Sequence, residues 1–168
     1  MKIDIQGTKK CAFLNGILFN IWNYSEFGWG YYTQNAELAE SFGFKKEDCF
    51  EESKTYFLPI KDIAHTRGFY SYVGCKYKGY KCFVHSYGKN EKKFCVAIPE
   101  DLALTMGIDG YRWGHETPSM DVPLSDLDEI YRRREKLDDF IFDVDPIKPI
   151  YKDGKWLIEP DENGVYVI

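Results

Sequence analysis

Turn chemistry constrains this chain more than any other feature. Asn15-Gly16 lies between Lys10–Leu14 and Ile17–Trp22, and Asp153-Gly154 lies between Ile150–Lys152 and Lys155–Ile158. Asn-Gly and Asp-Gly take the positive φ angles of a type I′ turn at little steric cost, and the flanks are rich in strand-forming residues. Two such signals near opposite ends of 168 residues call for antiparallel pairing. Strand-like and helix-like segments do not alternate regularly, which argues against a parallel α/β sheet. The expected class is α+β, as a single domain over residues 1–168. Its sheet is mainly antiparallel, built from hairpins, with two or three short helices.

The middle of the chain adds a meander. Phe69–Ile98 reads as three strands with turns near Lys78-Gly79 and Gly88–Glu91. Its first register has two solutions. A two-residue loop sets Val73 opposite Val84 and Cys75 opposite Cys82, but it faces Lys76 with Lys81. A three-residue loop removes that like-charge pair and still gives Gly79 a positive-φ position. The choice matters, because a slip of one residue exchanges the buried and exposed faces.

Elsewhere the signals are punctuation. Asn35–Phe42 predicts a helix with Thr33 or Asn35 as cap and Gly43 at its end. Pro99-Glu100-Asp101 opens another, which Gly107 stops. Ser125-Asp-Leu-Asp128 resembles a capping box and predicts a third, with Leu127, Ile130 and Tyr131 on one face and Arg132–Arg134 towards its end. Thr55–Ile60 reads as a strand broken or edged by Pro59. Gly28, Gly30 and Tyr31-Tyr32 read as an aromatic loop, Gly110–Pro123 as an irregular one, and Gly164–Ile168 as a final strand.

With 44% hydrophobic and 29% charged residues the chain is globular. Asp4 interrupts the N-terminus and no apolar run is long enough to span a bilayer, so a soluble, cytoplasmic protein with no membrane partner is expected. Five cysteines with no Cys-x-x-Cys pair predict buried, reduced thiols, with Cys75 and Cys82 as the one candidate pair across a hairpin.

Charge is divided along the chain. Residues 1–99 carry 14 Lys/Arg against 10 Asp/Glu, and residues 100–168 carry 8 against 17, which gives +4 and −9 and sums to −5. In the first part Lys76, Lys78, Lys81, Lys89, Lys92 and Lys93 interleave with Tyr72, Tyr77, Tyr80, Phe83, Tyr87 and Phe94. Lysines that track phosphates beside aromatics that stack on bases are the elements of a single-strand nucleic-acid binder. His65 and His85, as an acid–base pair, would extend that reading to RNA cleavage. An acidic sequence pI near 5.3 disfavours nucleic acid as the partner.

Other catalytic or cofactor patterns fail at named positions. His115-Glu116 lacks the second histidine of a zinc-protease helix, since position 119 is Ser119. Gly28-Trp-Gly30 is too short for a phosphate loop. Cys82 and His85, three apart on a strand, point to opposite faces. Asp143 and Asp145 supply oxygen ligands for a divalent metal without the rest of a shell. No cofactor and no metal are expected.

The acidic cluster is the stronger signal. As a strand, Asp139–Asp145 buries Phe140, Phe142 and Val144 and presents Asp139, Ile141, Asp143 and Asp145, with alternate residues about 6.6 Å apart. Carboxylates so spaced on a rigid edge imitate a phosphate backbone and steer a basic partner into place. Asp138 extends the patch, and Tyr111, Trp113 or Ile141 would supply a hydrophobic anchor. In size, α+β organisation, acidity, aromatic richness and the Asp138–Asp145 patch, the chain resembles the small cytoplasmic immunity proteins that protect bacteria from polymorphic or contact-dependent toxins. That resemblance implies a non-catalytic protein that binds one cognate toxin, often a nuclease, and blocks its active site or the approach of its substrate. A phage-encoded inhibitor of a host nuclease would have the same features.

Overall fold

A computed structural model describes residues 9–46, 54–88, 92–108 and 117–158. They gather into two compact units. The first contains Lys9–Ser71 and Glu135–Val144, and the second contains Tyr72–Arg134 and residues from Asp145 onward.

In the first unit, Asn15 and Gly16 have φ angles of 49° and 81° and join β1 (Lys9–Leu14) to β2 (Ile17–Tyr24), with Leu14 opposite Ile17. β3 (Gly28–Thr33), β4 (Lys45–Lys46), β5 (Tyr56–Pro59) and the first four residues of β6 (Gly68–Tyr77) complete an antiparallel order β6-β1-β2-β3-β5-β4. α1 (Ala36–Phe42) is capped as expected: the Asn35 side chain accepts from the Leu38 N–H at 3.0 Å, and Gly43 takes a φ of 72°. One sheet face buries Ala12, Phe19, Ile21 and Tyr31 against Ala39, Phe44 and Phe140.

The aromatic loop expected at Gly28–Tyr32 is instead the strand β3. Phe57 on β5 lies across Gly30, where a Cβ would run into its ring. The glycine is therefore a site of close approach within a strand and not a strand breaker.

The second unit runs β12-β11-β10-β6-β7-β8-β9, formed by β7 (Tyr80–Gly88), β8 (Lys93–Ala97), β9 (Ser119–Pro123), β10 (Leu127–Lys136), β11 (Ile147–Lys152) and β12 (Lys155–Trp156). α2 (Glu100–Thr105) buries Leu102 and Ala103 in its core. The β6–β7 turn takes the two-residue solution, pairing Cys75 with Cys82, Lys76 with Lys81 and Tyr77 with Tyr80. Burial decides that register. It places Val73, Cys75, Tyr77, Cys82 and Val84 in the core, where each large apolar side chain contributes about 1.5–3 kcal/mol. Opposed like charges cost only about 0.2–1 kcal/mol. Cys75 and Cys82 face each other as free thiols, and the contact with Cys82, reinforced by burial, pushes the Cys75 thiol up.

Two expectations here are overturned. Leu124–Asp126 form one 3-10 turn, and Leu127–Lys136, expected as a helix, is β10. A lone helix of that length is marginal in water. As a strand the segment pairs with β6 and β11 and buries Leu127, Ile130 and Arg132. The pairing slips at Ile130/Tyr131, where Ile130 faces Tyr151 but Tyr131 faces Pro149. The irregular loop over Gly110–Pro123 gives way at Ser119–Pro123 to β9, whose Pro123 is tolerated on an edge strand. Gly164–Ile168 lies outside the described residues.

The mainly antiparallel sheet is present, but strands dominate, with α1 and α2 the α-helices among the described residues. No described helix is long and apolar enough to cross a membrane.

Three tyrosines make stability sensitive to alkali. Burial pushes the hydroxyls of Tyr31, Tyr32 and Tyr131 above their ordinary value of 10.0, and Tyr31 also donates to the Phe13 carbonyl at 3.0 Å. The neutral form is thus favoured in the folded state, and the unfolded chain loses these protons first as pH climbs past about 10. Stability is expected to hold below that pH and fall above it, read as Tm from about pH 8 to 11.5. Tyr31→Phe should flatten part of the fall.

Candidate partner-binding site

The acidic segment lies in the first unit up to Val144 and is not a regular strand. Asp138 and Asp139 occupy a turn closed by the Phe140 N–H donating to the Leu137 carbonyl at 3.2 Å, with Asp139 at a φ of 73°. Aspartate is among the few residues that accept this left-handed conformation. Ile141 then forms a single parallel bridge with Arg67. Its N–H donates to the Thr66 carbonyl at 2.9 Å, and its carbonyl accepts from the Gly68 N–H at 3.0 Å.

Phe140 fixes the segment from beneath. It is 4% exposed, meets Trp29 edge-on at 5.3 Å, and lies over Gly68, where a Cβ would come within 2.6 Å of its ring. The alternation in burial expected of a strand survives: Asp139, Ile141 and Asp143 are exposed, while Phe142 and Val144 are partly covered. An even row of carboxylates at strand spacing does not. Ile141, 39% exposed, is the apolar point between them.

Arg67 is the partner that sequence reasoning missed. Its Nε donates to Asp143 Oδ1 at 2.6 Å, and its guanidinium lies 4.8 Å from the centre of the Phe13 ring. Both members of the ion pair remain about half exposed, at 47% and 51%, so the bond contributes about 0.2–1 kcal/mol. Its larger effect is to orient Asp143 and offset its charge. Asp138 and Asp139 are left as the exposed negative end. Asp145 is exposed but belongs to the second unit. Tyr111 and Trp113, the other expected anchors, lie outside the described residues, as does His115.

The described residues present another exposed aromatic. Lys10 Nζ lies 5.4 Å from the Trp29 ring centre, 5.7 Å from that of Trp22 and 5.8 Å from that of Tyr70. Trp22 is 56% exposed. Contacts therefore run without a break from Phe140 through Trp29 and Lys10 to a tryptophan at the surface. The Asn15-Gly16 hairpin already put Trp22 on β2, but its exposure depends on which face α1 covers, and sequence does not give that.

The histidines fall in different units. His65 Nδ1 lies 2.9 Å from Asp62 Oδ2, on a 3-10 turn that Asp62 also caps. His85, exposed on β7, meets Phe83 edge-on at 5.3 Å. Among the described residues, no three His, Cys, Asp or Glu side chains converge to hold a metal. Comparison with protein-family models, with curated proteins and with solved structures finds no match.

Proposed function

We propose that the chain is a non-catalytic, protein-binding inhibitor: a cytoplasmic immunity protein that neutralises a cognate toxin by occluding its active site or the approach of its substrate. The observation that carries this reading is the locked ridge Asp138–Asp143. There an exposed Ile141 stands among carboxylates on a backbone tied by two hydrogen bonds to the neighbouring Thr66–Gly68 segment and plugged by Phe140. A surface that is already rigid loses little entropy when a partner docks on it. Asp138 and Asp139 would steer a basic partner, while Ile141 and Trp22 would supply the desolvated centre that aromatic and aliphatic anchors provide in tight interfaces.

The test is capture from the native cell extract at low salt, with the wild-type chain and an Ile141→Glu variant as baits. The expected result is one basic protein, bound in equal amount to the wild type, released by salt and lost from the variant. The purified partner's toxic or enzymatic activity should fall to background at a one-to-one ratio. A partner held equally by both baits, or one whose activity is unaffected, would refute the assignment.

A further inference from the structure

The second unit carries an open face of a different chemistry. On β6, Val73, Cys75 and Tyr77 point into the core, so Tyr72, Gly74 and Lys76 point away from it, and pairing with β7 brings Phe83 and Lys81 to the same side. Of the six aromatics interleaved with lysines in this meander, Tyr77 and Phe94 are buried and Tyr80 and Tyr87 pack against the core, which leaves Tyr72 and Phe83 on the outer face.

Those two rings stack at 5.4 Å with an interplanar angle of 26°. Arg133 of β10 lies over Tyr72 at 5.9 Å, and His85 meets Phe83 edge-on at 5.3 Å. Guanidinium, phenol, phenyl and imidazole thus form one row of planar groups across three strands. Tyr131, lying over Gly74, joins the row to β10. Beside it, Lys76 and Lys81 are exposed and directly opposed. That like-charge pair is unfavourable in the free protein, and a phosphate between the two ammonium groups would reverse its sign.

We infer that this face binds single-stranded nucleic acid, with bases stacking along the Tyr72–Phe83 row and phosphates held by Lys76, Lys81 and Arg133. The planar row selects the single strand over the duplex, whose base faces are hidden. It also favours nucleic acid over an acidic protein, which would use the lysines but leave the rings unmatched. Glu129, exposed in part on β10, keeps the local field moderate, so binding should be modest and depend strongly on salt.

Fluorescence anisotropy with a labelled mixed-sequence single-stranded RNA of about twelve nucleotides tests this on the full chain. Binding at low salt is expected, with log K falling against log salt at a slope of about −2 for three phosphate contacts. Lys76→Glu with Lys81→Glu should weaken it by about tenfold or more, and Phe83→Leu, which keeps the apolar volume but removes the stacking face, by a similar factor. A duplex of equal length should bind more weakly. Asp138→Lys with Asp139→Asn should leave RNA binding intact, which separates this surface from the partner ridge. Absence of binding at low salt, equal affinity for the duplex, or affinity unchanged in both face variants would overturn the inference.

Discussion

Replacing Phe140 with alanine is expected to lower stability by about 3 kcal/mol, towards the lower end of what large-to-small aromatic changes cost in a core. The ring is 4% exposed and packs with Ala12, Phe19, Ile21 and Tyr31. In a chain of this length the loss should appear as a fall in Tm of about 6–12 °C. The consequence should also be functional. Phe140 does not reach the surface, yet it holds the backbone between the Asp138-Asp139 turn and Ile141. Partner binding should therefore weaken in the variant well below its Tm, whereas Ile141→Ala should weaken binding with little change in Tm. A shift within about 2 °C for Phe140→Ala would mean that the ridge is held by its hydrogen bonds alone.

The second large effect comes from the other side of the same contact. A Cβ at Gly68 would lie 2.6 Å from Phe140 Cδ1 and 3.2 Å from the Cys11 carbonyl oxygen. Gly68→Ala should cost about 2–3 kcal/mol, as overpacking does in a well-filled interior. The site offers little room for relief, because Trp29 stands against Phe140 at 5.3 Å. In a Phe140→Ala background most of that penalty should vanish, which gives a coupling of about 1.5–2.5 kcal/mol by thermal or denaturant unfolding of the four proteins. Strict additivity would mean that the ring does not sit over Gly68.

The parts of this fold that sequence made legible are those set by local chemistry. Asn15-Gly16, Lys78-Gly79 and Asp153-Gly154 all place both turn residues at positive φ, and Asn35 with Gly43 bounds α1. Each is decided within a few residues. β10 is not. Its Leu127, Ile130 and Tyr131 fit a helical face, and its arginines suit a helix end, but pairing with β6 and β11 outweighs those preferences. β3 was hidden for a related reason: Gly30 looks like a breaker until Phe57 is seen to occupy the space above it.

The candidate surfaces divide in the same way. The exposed and covered residues of the acidic segment follow from its alternation, whereas Arg67, 76 residues away in the chain, has no local signal as the partner of Asp143. Tyr72, Phe83 and His85 stand out in sequence among lysines. Arg133 joins them only once its segment is a strand beside β6.

The association rate of the captured partner separates a steering ridge from a bystander surface. It is measured for the wild type and for Asp138→Lys with Asp139→Asn, at low and at physiological salt. Asparagine suits position 139 because it removes the charge while tolerating the φ of 73° there. If the ridge steers a basic partner, the variant should associate about tenfold more slowly at low salt and lose most of its salt dependence. Equal rates at both salt concentrations, with unchanged affinity, would contradict the claim that this ridge is the docking site.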